Sequence, residues 1–142
     1  KLLIIWSLST YGSKITGEIE AQSQKIKNLD FIRFVPFDRI DQYFQKARIF
    51  VNTSTREGYP NTFVQAMKNR VPILSLNIDP NHIFEKYQVG MCAGNDFDQM
   101  VLLLKKMLTE KDEYEKMSEK AFRYAKKEHN ITANAQKLLQ SL

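Results

Sequence analysis

Apolar residues along the chain fall into two alternating kinds of segment. Short runs rich in β-branched and aromatic residues, at 2–8, 31–35, 49–52 and 72–76, with a weaker one at 91–93, predict buried strands. Between them the apolar positions move to helical spacing. Ile15, Ile19, Ile26 and Leu29 mark a first helix, and Ile40, Tyr43, Phe44 and Ala47 a second. Asp38 is placed to cap the second, with Asp41 in its first turn. A third helix is expected from near Asn61 to near Asn69. A fourth follows Asp79-Pro80, a cap residue with proline at the first helical position. Strict alternation of strand and helix means a parallel sheet with crossover helices.

After Gly94 only helical spacing remains. Phe97, Met100, Val101, Leu104, Met107 and Leu108 form one apolar stripe. Tyr114, Met117, Ala121, Tyr124 and Ala125 form a second, and Ile131, Ala135, Leu138, Leu139 and Leu142 a third. These stripes read as packing faces. With no repeat, low-complexity stretch or linker, residues 1–142 are expected to be one domain: an α/β, Rossmann-like parallel sheet sandwiched by helices, with a helical C-terminal tail.

Composition narrows the picture in three places. With 43% apolar and 26% charged residues the chain is a globular protein rather than a disordered tail. Its opening apolar run, Leu2 to Trp6, is far too short to cross a bilayer. The net charge of +5 suits an anionic ligand or an acidic surface. It is not clustered enough to indicate nucleic acid, since Lys105-Lys106 and Lys126-Lys127 lie on solvated helix faces. The single Cys92 excludes an internal disulfide, fits a reducing cytoplasm, and has no Cys/His cluster around it to make a metal site. The chain starts on Lys1-Leu2-Leu3-Ile4-Ile5 with no methionine or signal peptide, which predicts a segment of a larger protein.

The loop after the third predicted strand carries the chemistry. In a parallel sheet, ligands sit at the carboxyl ends of strands, where loops lead into helix N-termini. Residues 53–60 are long and polar, with Gly58 and Pro60 to turn the backbone, and they enter a helix whose first turn holds Asn61 and Thr62. Free N–H groups and the helix dipole there favour an anion. Glu57 lies just before, so a carboxylate and an anion-binding turn share one rim, as a pyrophosphate beside a sugar would require. Gln65 follows Asn61 by four residues, on the same helical face. A glutamate before a helix can also serve only to offset the dipole. Arg56 can reach a phosphate or point into solvent. His82 reads as a surface histidine, His129 as structural, and Trp6 as core.

Glu57-Gly58-Tyr59-Pro60-Asn61, then Gln65-Ala66-Met67, then Val71-Pro72-Ile73-Leu74-Ser75, resembles the signature of retaining GT-B glycosyltransferases of the glycosyl-transferases group-one family. In that pattern a Glu, a Gly and an aromatic precede a Glu-Ala pair and a small-Val-Pro strand. The likeness extends over almost the whole chain, from the strand and loop at 31–37 to the helical tail. It implies the donor-binding C-terminal domain of a two-domain enzyme, with the first βα unit and the N-terminal acceptor domain missing. The activity implied is transfer of a hexose from a UDP- or GDP-sugar to a glycan or lipid-linked acceptor, with retention and without metal or other cofactor.

Carried over by position, Glu57 contacts the donor hexose, and the backbone of Gly58, Tyr59, Pro60, Asn61 and Thr62 lines the sugar and phosphates. Gln65 stands where a second glutamate binds the ribose hydroxyls. Val35, in the loop after the second strand, holds the base through its main chain. The family's Arg and Lys diphosphate clamp would lie before Lys1. Where relatives have a glycine-rich turn after the first strand, this chain has Ser9-Thr10-Tyr11-Gly12-Ser13, with one glycine. A cytoplasmic protein with peripheral contact at an anionic inner membrane face would agree with the basic surface. The rival readings are a nucleotide-sugar epimerase on the same scaffold, and a non-catalytic nucleotide-binding or regulatory module of receiver-like or flavodoxin-like kind. The absence of an acid at the end of the first strand counts against a receiver.

Overall fold

A computed structural model describes residues 2–5 and 13–141. The expectations for Trp6, for the turn at 9–12 and for Leu142 lie outside the described residues. The chain divides into two compact units, Lys1–Ile40 and Asp41–Leu142.

In the first unit, β1 (Leu2–Ile5) pairs in parallel with β2 (Leu29–Ile32), Leu2 opposite Leu29 and Ile5 opposite Ile32. Helix α1 (Ser13–Ser23) joins them, so it stops short of Ile26 and Leu29, which the spacing had assigned to it. The Ser23 hydroxyl donates to the Glu20 carbonyl (2.7 Å), and two successive turns close through Ile26 N–H to Ser23 O and Leu29 N–H to Ile26 O. Leu29 is then free to pair as a strand residue. The Arg33 guanidinium binds the Glu20 carboxylate, which lies below the usual carboxylate range because of that bond. Strand β2 ends at Ile32 rather than at residue 35. Val35 precedes Pro36, where extended backbone is favoured. Phe37–Arg39 is a single 3₁₀ turn. Asp38 therefore sits inside that turn and caps no helix.

The second unit runs β3 (Phe50–Asn52), α3 (Asn61–Lys68), β4 (Ile73–Ser75), α4 (Ile83–Tyr87), β5 (Gly90–Cys92). A short α2 (Asp41–Phe44) precedes these elements, without the flanking Ile40 and Ala47 of the expected helix. The three strands form a parallel sheet in the order β3-β4-β5, with Phe50 opposite Ile73 and Ile73 opposite Gly90. Every described strand pairing in the chain is parallel, as the alternation of elements requires. β4 is central and wholly buried. Its pleat sends Leu74 into a cluster with Leu76, Ala93, Met100, Met107 and Met117, while Ile73 lies beside Gly90 and Phe84. Rings of Phe44, Phe50, Phe63 and Phe84 follow one another at centroid separations of 5.5, 6.1 and 5.7 Å.

The tail is helical: α5 (Phe97–Thr109), α6 (Lys111–Glu128) and α7 (Ile131–Gln140). Asp96 caps α5 by accepting the Gln99 N–H (3.0 Å), and Asn130 caps α7 by accepting that of Ala133 (3.1 Å). Helix α6 packs on α3 as its stripe predicts, with Met117, Ala121 and Ala125 buried. The loop after α3 is tied down as well: Ser118 Oγ donates to the Arg70 carbonyl (2.6 Å), and the Arg70 guanidinium pairs with Glu119 over the Phe122 ring.

The other two stripes are corrected. On α5, Met100 and Met107 are buried, but Phe97, Val101 and Leu108 are exposed, because the core lies under the Met100–Leu104–Met107 edge. On α7, Ile131, Leu138 and Leu139 are 63–80% exposed, so this face is left mostly uncovered by the described residues. No described helix is long and apolar enough to cross a membrane.

One glycine is fixed by packing. A β-carbon on Gly90 would stand 2.5 Å from the Ile73 carbonyl oxygen and 3.1 Å from the Phe84 ring. The first of these is backbone in the central strand and cannot give way. Gly90→Ala is expected to lower stability by about 1–3 kcal/mol, the usual scale of overpacking. Urea unfolding read by circular dichroism checks it; an unchanged midpoint would contradict this packing of β5 on β4.

Candidate functional site

The register of β3, β4 and β5 brings Asn52, Ser75 and Cys92 to one end of the sheet. The loops that follow are tied along this rim. Asn77 Nδ2 donates to the Thr55 carbonyl (3.0 Å), and the Asn95 N–H to that of Leu76 (2.7 Å). Gly94 and Asn95 take left-handed backbone there, as do Asn81 and His82 in the loop after β4. Asp79 does not cap at the proline. Its carboxylate reaches on to accept the Phe84 N–H (3.1 Å), across a 3₁₀ turn at Pro80–His82. His82 is exposed, as expected.

Asn52, 8% exposed, ends β3 and shapes the loop beyond it. Its Oδ1 accepts the Ser54 N–H (2.9 Å), a local side-chain turn that redirects the backbone, and its Nδ2 donates to Glu57 Oε1 (3.3 Å). One buried amide thus turns the chain and orients the carboxylate that the motif singles out. Glu57 itself is exposed at the rim. Arg56 is exposed and forms no ion pair among the described residues.

Beyond Glu57 the loop enters α3 at Pro60, which is buried and offers no side-chain cap. The Phe63 N–H donates to the Pro60 carbonyl (3.0 Å), while among the described residues those of Asn61 and Thr62 have no acceptor. Phe63 and Met67 are fully buried, which turns the exposed Asn61 and Thr62 outward. Gly58 has neither a positive φ nor a close neighbour; a β-carbon there would meet no atom within 4 Å. Among the described residues neither backbone conformation nor packing accounts for this glycine. Gln65 is half-buried on α3, its carbonyl accepting from the Asn69 side chain (2.9 Å). Its own amide is unbonded among the described residues. Val35, half-buried, belongs to the first unit.

Tyr59 points the other way. Its hydroxyl lies 2.9 Å from Nε2 of His129, at the C-terminal end of α6, and the two rings pack at 5.1 Å. Burial, then the neighbouring Tyr124 hydroxyl, raises the Tyr59 pKa well above the ordinary phenol value, so the group stays neutral. Burial, then the nearby Lys68 charge, pushes His129 below the ordinary histidine value, against the pull of Glu128. Among the described residues no group of three potential metal ligands exists.

The glycosyl transferases group 1 family model matches residues 16–124. The chain belongs to this family. It is similar to an uncharacterized glycosyltransferase of Haemophilus influenzae, at 28% identity over 82% of this chain. It is also similar to the glycosyltransferase 1 domain-containing protein 1 of Xenopus tropicalis, at 24% identity over 81%. The chain spans about a third of the length of these curated relatives.

The half-buried histidine gives a pH signature. Because His129 is held below its ordinary value of about 6.5, the unfolded chain takes up that proton at a higher pH than the folded one. The stabilising effect of the neutral imidazole is complete above the unfolded value and is lost as pH falls from there toward the folded value. Denaturation midpoints at pH 7.5 and 5.5 are expected to drop more in the native chain than in His129→Gln. Equal drops would remove His129 as the source.

Proposed function

We propose that this group 1 glycosyltransferase chain is the nucleotide-sugar-binding portion of a larger enzyme. That enzyme transfers a hexose from a UDP- or GDP-sugar to a glycan or lipid-linked acceptor with retention. The observation that carries the reading is the arrangement at the end of β3. A carboxylate oriented by Asn52 stands two residues before Tyr59-Pro60, ahead of an α3 start whose Asn61 and Thr62 amides have no described acceptor. The first amides of a helix favour phosphate oxygens. The empty space at Gly58 lets a ligand approach the backbone closely.

In this reading Glu57 holds the transferred hexose, the backbone from Gly58 to Thr62 lines sugar and diphosphate, and Gln65 binds the ribose hydroxyls. Fixed dipoles aimed at the departing diphosphate stabilise its charge as it leaves. The net charge of +5 supports work beside an anionic membrane face.

The test is a pair of substitutions in the full-length protein. If Glu57 grips the hexose, its bonds strengthen as positive charge grows at the anomeric carbon, and their loss appears in turnover rather than in nucleotide affinity. A charged hydrogen bond is worth about 1.5–3 kcal/mol, so Glu57→Gln is expected to cut kcat roughly 10- to 150-fold. UDP or GDP affinity should stay near the native value. Gln65→Ala is expected to weaken nucleotide binding roughly 2- to 13-fold, and Gln65→Glu to be tolerated, since a carboxylate accepts from both ribose hydroxyls. A stable Glu57→Gln enzyme with native turnover would place Glu57 outside the site and leave it as a helix-dipole partner.

A further inference from the structure

The loop carrying Glu57 is held unevenly. Its first half is fixed by the bond from Ser54 to Asn52 and by that from Asn77 to Thr55, and in the second half Asn52 reaches only the Glu57 side chain. From Arg56 to Tyr59 no backbone–backbone hydrogen bond forms among the described residues, and Pro60 brings no side-chain cap to α3. Arg56, Glu57 and Gly58 are all exposed. Tyr59 is the inward-turned side chain of this half. It meets His129, 70 positions away, through both a hydrogen bond and ring packing, with the Tyr124 hydroxyl as a further polar neighbour.

That contact rests on a rigid base. The His129 N–H donates to the Ala125 carbonyl (3.0 Å), closing the last turn of an 18-residue helix. Its ring packs edge-on against Tyr124 (5.7 Å), which packs against Tyr87 of α4 (4.6 Å). Helix α6 is itself fastened to the end of α3 through Ser118 and Glu119. Two ends of one segment are therefore referred to one frame: α3 directly, and the loop before it through Tyr59.

We propose that His129 is a positioning residue for this loop, its hydrogen bond to the Tyr59 hydroxyl fixing the segment that presents Glu57 and leads into α3. The inference rests on the donor-site reading for its catalytic consequence, but not for its structural one. His129 touches no substrate; it acts through Tyr59. Asn52 holds the Glu57 carboxylate by one bond of 3.3 Å; without the Tyr59 anchor the backbone that carries it is free to shift relative to the α3 amides, and displacement of about 1 Å at a reacting centre costs up to about 100-fold in rate. Glutamine can place a polar atom where Nε2 stands, whereas alanine cannot.

The experiment compares His129→Ala, His129→Gln, Tyr59→Phe and the Tyr59→Phe/His129→Ala pair in the full-length protein. Backbone order parameters of residues 56–59 come from ¹⁵N relaxation, and kcat and KM from transfer with UDP- and GDP-sugars. Rigid backbone lies near about 0.85 and flexible backbone below about 0.6. His129→Ala and Tyr59→Phe are each expected to move Gly58 and Tyr59 toward the flexible range while α6 stays rigid. The pair should add little beyond either single change, and His129→Gln should restore order. Turnover should fall up to about 13-fold with either single change, the scale of one hydrogen bond, with nucleotide KM changed less.

Unchanged order at Gly58 and Tyr59 in His129→Ala would overturn the proposal. So would loosened order with native kcat in a protein that transfers sugar. A native protein that neither binds UDP or GDP nor transfers sugar would instead overturn the donor-site reading, and the order parameters alone would then decide whether His129 holds the loop.

Discussion

The bond pair made by the Asn52 side chain is the constraint on which the rest of the site depends. A parallel strand ends with its carbonyls and amides running out of partners, and the chain must turn there without stranding polar groups in the core. Asn52 meets that need with its Oδ1 on the Ser54 N–H, and the same amide spends its other end on Glu57. The amide is buried beside a fully buried central strand, so the side chain has little freedom to serve either bond differently. Sheet register, loop direction and carboxylate orientation are thereby one geometric fact. The tie from Asn77 to Thr55 then binds this loop to the next, as expected where ligand loops gather at the carboxyl end of a parallel sheet.

Much of the second unit was legible because its signals are local. Pro60 fixes the start of α3 by chain geometry, and the apolar spacing of Phe63, Ala66 and Met67 matches their burial. The Asp96 and Asn130 caps, which were not among the caps expected from the sequence, stand before α5 and α7 in the usual cap position. Periodicity misled where a single apolar residue served another element. Leu29 continues a helical spacing from Ile15, yet its partner is Leu2 of the neighbouring strand, which no local pattern encodes. Phe97, Val101, Leu138 and Leu139 keep helical spacing but not burial, since a stripe reports that a face is apolar and not what covers it.

At the site, Glu57 and the α3 start were readable from residue type and order. Asn52 was not, because it reads as the last residue of a strand; the available signal is Asn followed two positions later by Ser, the spacing of a side-chain turn. His129 carried no signal at all. Its partner is 70 residues distant, and an isolated histidine before a helix cap looks structural until the Tyr59 hydroxyl is found against it. Gly58 shows the converse case. It is a glycine that packing among the described residues does not require, which directs attention to a ligand there.

The central claim is that the end of β3 and the start of α3 form a nucleotide-sugar site, and amide shift mapping tests it most directly. Titrating the ¹⁵N-labelled full-length protein with UDP, GDP and their hexose conjugates should shift the amides of Gly58, Asn61 and Thr62 together with the Gln65 side chain. The conjugate should add a shift at Glu57 that the bare nucleotide lacks. Saturation that moves another region of the protein and leaves Gly58, Asn61 and Thr62 in place would contradict the account.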